Sequence, residues 1–503
     1  MRASEQSLEQ QLTQYMEAGF PILYINSCEE EKADAAIRQA AAKAERKHIM
    51  EWNGAKMVDF FTKAPLSMLD ESIRGALSLF LEDEQPDRIL VLKEPQAYWE
   101  NPECAALLRD IAHRITTDRM SECTVVIVSS VYSLPKEIEH YTTILEEKPL
   151  SDGQISAIVR ETAQDWGVEM AQNVLDEMTT AFKGLSASEI QNILRLAYYQ
   201  QGGVLNRSAM TMIQEQKRQT IKKSGILEMV EVTTGMDDIG GLANLKAWLK
   251  RKASVFKSLR EAQAFGVDMP KGVLIAGVPG CGKSLSAKAT AALLQVPLLR
   301  LDMGRLLGKY VGESEANMRQ AINLAEAISP CVLWIDELEK AFAGVGGEGG
   351  GAEVTTRLLG SFLTWLQEKE DPVFVVATAN DILKLPSELL RKGRFDEIFY
   401  VKLPNQQERE AILKIHVQKR RAQDLDKIDF AVLARETDGY SGADLEGVVK
   451  DAIEAAFAAK QGCVNTDGIR KAIRETHPLS EIMKESLEKM QKEYEKRKYK
   501  SAS

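Results

Sequence analysis

The stretch Gly277-Val278-Pro279-Gly280-Cys281-Gly282-Lys283-Ser284 constrains this chain more than any other, because few folds can present it. It fits the pattern G-x-x-x-x-G-K-[ST] and follows the apolar run Val273-Leu274-Ile275-Ala276, the strand-then-loop order of a phosphate-binding loop. Glycines let backbone N–H groups turn inward onto phosphate oxygens. The Lys283 ammonium meets the β- and γ-phosphates, and the Ser284 hydroxyl can ligate Mg²⁺. An α/β fold with a parallel sheet is the expectation.

Two further apolar runs place polar groups where such a sheet delivers them. Cys331-Val332-Leu333-Trp334-Ile335 ends in Asp336-Glu337, as expected of a buried parallel strand whose C-terminal end faces the phosphates. Asp336 is placed to hold Mg²⁺ through water and Glu337 to polarise an attacking water as general base. Solvated acids at a strand end are the plainer alternative. Val373-Phe374-Val375-Val376-Ala377-Thr378 leads to Ala379-Asn380, whose amide can orient that water or simply cap a turn.

The segment Leu385-Pro386-Ser387-Glu388-Leu389-Leu390-Arg391-Lys392-Gly393-Arg394-Phe395-Asp396 resembles the second region of homology of AAA ATPases. The resemblance covers about residues 230–480 and implies ATP hydrolysis with Mg²⁺. It makes Arg391 and Arg394 paired arginine fingers that reach a neighbouring subunit's γ-phosphate, so that each site is complete only in a ring of copies, a hexamer by analogy. Asp238-Ile239-Gly240-Gly241 resembles the backbone segment beside adenine. Ile412-Leu413-Lys414-Ile415-His416 resembles the lid helix with its adenine-side histidine, and Gly439-Tyr440-Ser441-Gly442-Ala443-Asp444-Leu445 the lid's second contact. The implied nucleotide-binding set is therefore Asp238, Ile239, Gly240, Gly277, Pro279, Gly280, Cys281, Gly282, Lys283, Ser284, Leu285, His416, Gly442 and Ala443. Lys309-Tyr310-Val311, flanked by glycines, resembles the aromatic pore loop of substrate-threading members; packing of Tyr310 on its own domain is the alternative. Gly344 to Gly351 reads as a flexible loop at the same channel.

Residues 1–200 lack a phosphate loop yet repeat the order of the second half. Gly184-Leu185-Ser186-Ala187-Ser188-Glu189-Ile190 parallels Gly439 to Leu445, Ile89 to Glu94 parallels Leu333 to Glu337, and Val125 to Ser130 parallels Val373 to Thr378. Tandem AAA-type modules are expected, the first degenerate: Cys28-Glu29-Glu30-Glu31 stands where glycines and a lysine belong, and Lys93 replaces the magnesium aspartate. Acids there repel phosphate. An α/β domain of unrelated ancestry remains the alternative. The expected order is a degenerate α/β domain over 1–150, a lid-like helical domain over 151–213, a linker over 214–230, an ATPase α/β domain over 231–403, a lid over 404–480 and a C-terminal helix over 481–503. In the linker, Lys217, Arg218, Lys222 and Lys223 read as a solvated helix face. Met483, Leu487, Met490 and Tyr494 form one stripe that can brace a neighbour or cover the lid.

The whole layout is similar to the hypothetical chloroplast reading frame AAA ATPases of algal plastids and bacteria. Cys281 departs from the threonine favoured there, and a helix N-terminus is expected to lower its pKa and make the site sensitive to oxidation. Composition excludes other classes. Net charge −10 argues against a nucleic-acid surface, the six cysteines lack C-x-x-C spacing, and no H-E-x-x-H occurs. No window is apolar enough to span a bilayer, and a cytoplasmic location is expected. The function expected is an ATP-driven ring that remodels or threads a protein substrate. An ATP-controlled switch that recruits a partner through the front half is the alternative.

Overall fold

The computed structural model describes residues 7–503 except 28, 67–69, 84, 100, 118–119, 121, 131–132, 147–148, 224, 307–312, 342–349 and 498. Lys309, Tyr310, Val311 and most of the Gly344 to Gly351 stretch lie outside the described residues. The chain divides into two compact units, Met1–Ile158 with Ser186–Asn192, and Val159–Leu185 with Ile193–Ser503.

The first unit holds six strands: β1 (Ile22–Asn26), β2 (His48–Trp52), β3 (Met57–Asp59), β4 (Arg88–Lys93), β5 (Thr124–Ser129) and β6 (Thr142–Glu146). Their order is β3-β2-β4-β5-β1-β6, parallel except for β3. The strands are apolar on both faces because helices cover both. Ile22 and Tyr24 of β1 join one core and Leu23 and Ile25 the other, as alternation along a strand requires.

The second unit holds β7 (Leu227–Val230), β8 (Gly272–Gly277), β9 (Leu298–Leu301), β10 (Cys331–Ile335), β11 (Val373–Ala379), β12 (Glu397–Val401) and β13 (Lys500–Ser501), ordered β13-β12-β8-β11-β10-β9-β7. Removing the edge strands β3, β7 and β13 leaves β2-β4-β5-β1-β6 and β9-β10-β11-β8-β12, which in chain order are both second-third-fourth-first-fifth. Each sheet also carries its antiparallel addition beside the second strand, β3 on β2 and β7 on β9. Such agreement in strand order and direction gives the two sheets one architecture. A helical lid follows, its core built from Leu413, Val417, Leu433, Leu445, Val448 and Val449.

Three local expectations meet a different arrangement. Within the expected linker, a helix spans Met210–Lys223 and β7 follows. Ile213, Lys217 and Ile221 repeat every four residues, so Lys217 is buried beside the isoleucines, not solvated, and its ammonium donates to the Ala181 carbonyl at 2.9 Å. The helix Lys484–Arg497 covers the ATPase sheet and not the lid: Met490 and Tyr494 enter the core of that sheet, and the Tyr494 ring stacks on Tyr400 of β12 at 3.4 Å.

Candidate functional site

The phosphate loop leaves β8 through glycines that nothing larger can replace. A Cβ at Gly277 (φ 143°) would stand 2.1 Å from the Val401 carbonyl oxygen, and one at Gly280 (φ 72°) 2.9 Å from the Ala443 Cβ. The loop runs into the helix Lys283–Leu294 with Gly282 in the left-handed conformation, and the N-terminal N–H groups of that helix form an anion site. Lys283 is buried and donates to the Gly277 and Val278 carbonyls, both at 2.8 Å. Burial pushes its ammonium down to about 8.

β10 and β11 bring the carboxylates and the amide to that loop. The Ser284 hydroxyl lies 3.3 Å from Asp336 Oδ1, and Thr378 also donates to that oxygen. Glu337 follows at φ 51°, a conformation rare for a residue with a side chain, and its N–H donates to Thr378 Oγ1 at 3.1 Å. Asn380 Nδ2 donates to Glu337 Oε1 at 3.1 Å, and Lys340 Nζ lies 2.6 Å from Oε2. A buried carboxylate not foreseen from sequence, Glu339, accepts the Asn380 N–H at 3.0 Å and fixes the start of that turn. Magnesium fits the pairing of Ser284 with Asp336, because this ion takes few protein ligands and keeps waters and phosphate oxygens. Among the described residues no cluster of three or more His, Cys, Asp or Glu could cage a metal without such help.

The lid closes the other side. The Ala443 N–H donates to the Gly280 carbonyl at 2.9 Å, seating the helix Gly442–Ala458 on the loop. Asp238 turns its side chain to Lys419 at 2.7 Å and to the Gly235 N–H, so this segment offers a ligand its backbone. Glu408, unforeseen, accepts from Leu242 N–H at 3.1 Å and from Asn405 N–H at 3.0 Å, tying the 238–242 segment to the lid. The capping pattern Asn405-x-x-Glu408 was readable as a helix start; the bond to Leu242 was not.

Together these groups line one cleft of about 320 Å³. It collects Asp238, Ile239, Gly240, Gly280 through Leu285, Asp336, Glu337, Asn380, His416, Gly442 and Ala443 from the expected set. Gly277 and Pro279 do not line it, and the Gly277 carbonyl accepts from Lys283. Arg391 and Arg394 are not brought to it: Arg391 is exposed and Arg394 donates to the Leu363 carbonyl at 2.8 Å. Cys281 corrects its expectation. Burial raises its thiol to about 11 and outweighs the Gly442 N–H bond and Lys283, so it is not an acidified thiol.

The front unit shows the same positions with charges exchanged. Lys93, at the end of β4 where Asp336 follows β10, lies 3.1 Å from Glu30, 3.0 Å from Asp34 and 3.4 Å from Glu51. Glu94 repeats the left-handed φ at 46° and accepts the Ser130 N–H at 2.8 Å. The Ser188 N–H, counterpart of Ala443, donates to Glu29 Oε1 at 3.2 Å.

A phosphate loop on the first strand, an acidic pair on the third, an amide after the fourth and a helical lid on the loop define the AAA class of P-loop proteins. The family model of the ATPase family associated with various cellular activities matches residues 273–403, and that of the AAA+ lid domain residues 427–471. Models of the SpoVK-like AAA ATPase N-terminal and second domains match residues 8–147 and 153–224. The ycf46 AAA-domain protein of Guillardia theta is 34% identical over 95% of this chain and 92% of its own length. Its counterpart from Pyropia yezoensis is 35% identical over 96% of both. A putative ribosome biogenesis ATPase of Dictyostelium discoideum is 38% identical over 47% of this chain and 28% of its own length. The chain belongs to the ycf46 family of AAA-domain proteins. None of its described helices is long and apolar enough to cross a membrane.

Proposed function

We propose that this protein hydrolyses ATP in the cleft of its second module and acts as a ring of copies, hexameric by family resemblance, on a protein substrate. The carrying observation is the convergence of Lys283, Ser284, Asp336, Glu337 and Asn380 in one cleft under the lid. Lys283 holds the β- and γ-phosphates, Ser284 and Asp336 hold Mg²⁺, and Glu337 takes the proton of a water positioned by Asn380. Bound Mg²⁺ supplies charge neutralisation at the phosphates. Arg391 and Arg394 lie outside their own cleft, which supports their acting on a neighbour's nucleotide. Lys309, Tyr310 and Val311 are assigned to the substrate channel.

Two variants test the assignment. Lys283→Ala weakens ATP binding about 100-fold by removing the charged phosphate partner. Glu337→Gln binds ATP normally and turns over about 10²–10⁴ times more slowly, the usual scale of a lost general base. Turnover at the wild-type rate in Glu337→Gln removes that residue from the mechanism. The ion-paired front site supports the reading of a non-hydrolysing scaffold there and keeps a switch in play. Tyr310→Ala separates the two: loss of substrate-stimulated ATPase with basal ATPase retained favours threading, and no effect favours the switch.

A further inference from the structure

The end of the cleft away from the phosphates is made by the lid helices Gln406–Arg421 and Gly442–Ala458. Gly240 lies so close to Ile412 that an added Cβ would stand 2.4 Å from its Cγ1, and Ile239, Ile412 and Ile415 line an apolar slot suited to a flat base. One turn beyond Ile412 comes His416. One turn beyond Gly442 and Ala443 comes Glu446, and both line the cleft.

Arg420 joins the two. Its Nη1 lies 3.5 Å from His416 Nδ1, and its Nη2 donates to Glu446 Oε1 at 2.7 Å. Lys450 Nζ stands 2.8 Å from the same oxygen. Burial lowers the His416 pKa, which keeps the ring neutral at neutral pH. A guanidinium can only donate, so Nδ1 accepts and Nε2 keeps its hydrogen. The Lys450 bond leads the contacts that hold the Glu446 carboxyl below its usual range, making it an ionised acceptor. Both cations make their closest approach to Oε1, so Oε2 is the oxygen a ligand would take. Glu446 stands about 5–6 Å along its helix from the contact of Gly442 with the loop, comparable to the distance from the α-phosphate of a 5′-nucleotide to its sugar hydroxyls.

We propose that Glu446, with His416 beside it, binds the ribose hydroxyls of the nucleotide and makes the site select a ribonucleoside triphosphate over its 2′-deoxy counterpart. The proposal rests on the ATPase reading above. A 2′-deoxy sugar leaves part of an ionised acceptor unmatched, and sites built to bind a hydroxyl reject the analogue that lacks it.

The test compares kcat/KM for ATP and dATP in the full chain. Wild type favours ATP by about tenfold, near the low end for a hydrogen bond to a charged group, because Glu446 is 35% exposed. Glu446→Ala brings that ratio close to one, chiefly by raising KM for ATP, and Glu446→Gln keeps part of it. Competition of ATP and dATP against a fluorescent ATP analogue reads the same ratio in a Glu337→Gln background, where turnover is suppressed. A ratio unchanged by both substitutions overturns the proposal while leaving the ATPase reading intact. A wild-type chain that binds neither nucleotide overturns both.

Discussion

Lys283 carries a pH signature that follows from its burial. Its pKa of about 8 lies below the ordinary lysine value, so between roughly pH 8 and 10.5 the unfolded chain holds a proton that the folded one has released. The burial penalty on the charged amine is therefore fully present below pH 8 and is relieved as pH rises through that window, a gain in stability. Nucleotide affinity moves the opposite way, because phosphate favours the ammonium and binding above pH 8 must take up a proton. ATP affinity should fall by about tenfold per pH unit above 8, and calorimetry in buffers of different ionisation enthalpy should detect the proton uptake. A flat profile from pH 7 to 9.5 removes Lys283 as the titrating group. The residues readable from sequence, Lys283, Ser284, Asp336, Glu337 and Asn380, sit at strand ends or in one contiguous loop, where chain order alone brings them together. The bonds of Glu339 to Asn380 and of Glu408 to Leu242 were not readable, because each joins residues that only the folded backbone brings together. The thiol of Cys281 was misjudged for a related reason: its helix position is local, whereas the burial that raises its pKa comes from the fold.

Elements were legible where they were long and apolar. The central strands β8, β10 and β11 announce themselves as apolar runs, but β3, β7 and β13 have two to four residues and are fixed by their pairing partners. The stripe of the helix Lys484–Arg497 was visible; the surface it covers was not, since amphipathicity tells a helix to bury a face without naming the other side. Tyr494 tests that packing. It is 3% exposed, stacks on Tyr400, and its hydroxyl has no hydrogen-bond partner among the described residues. Truncation to alanine should cost about 3–5 kcal/mol, as for other buried aromatics. Tyr494→Phe should be neutral or slightly stabilising, because it removes a buried hydroxyl that makes no bond. Chemical denaturation of the second module, followed by intrinsic fluorescence, measures both; equal losses in the two variants would mean that the hydroxyl is satisfied.

At the scale of the whole molecule, the repeated strand order was foreseen from a few parallel motifs, and the exchanged charges explain why the front copy hides its kinship. A search for glycines and a lysine fails there, since the fold has kept its strand order while acids stand in the loop and Lys93 takes the place of Asp336. The ring proposal is also tested at this scale. Arg391→Ala should spare ATP binding and lower turnover by about 10³ or more, the scale of a lost arginine finger. Mixed assemblies of Arg391→Ala and Glu337→Gln chains should regain activity where an intact Glu337 meets an intact Arg391, and full activity of an isolated subunit would rule out the trans arrangement. The ion pairs of Lys93 with Glu30 and Asp34 hold the front strand end to its helix with charges built into the chain. That makes the front sheet a built-in blank for any titration: amide exchange along β1 and β4 should read the same with ATP, with ADP and with neither, while exchange along β8 and β10 slows, so a single spectrum carries its own baseline.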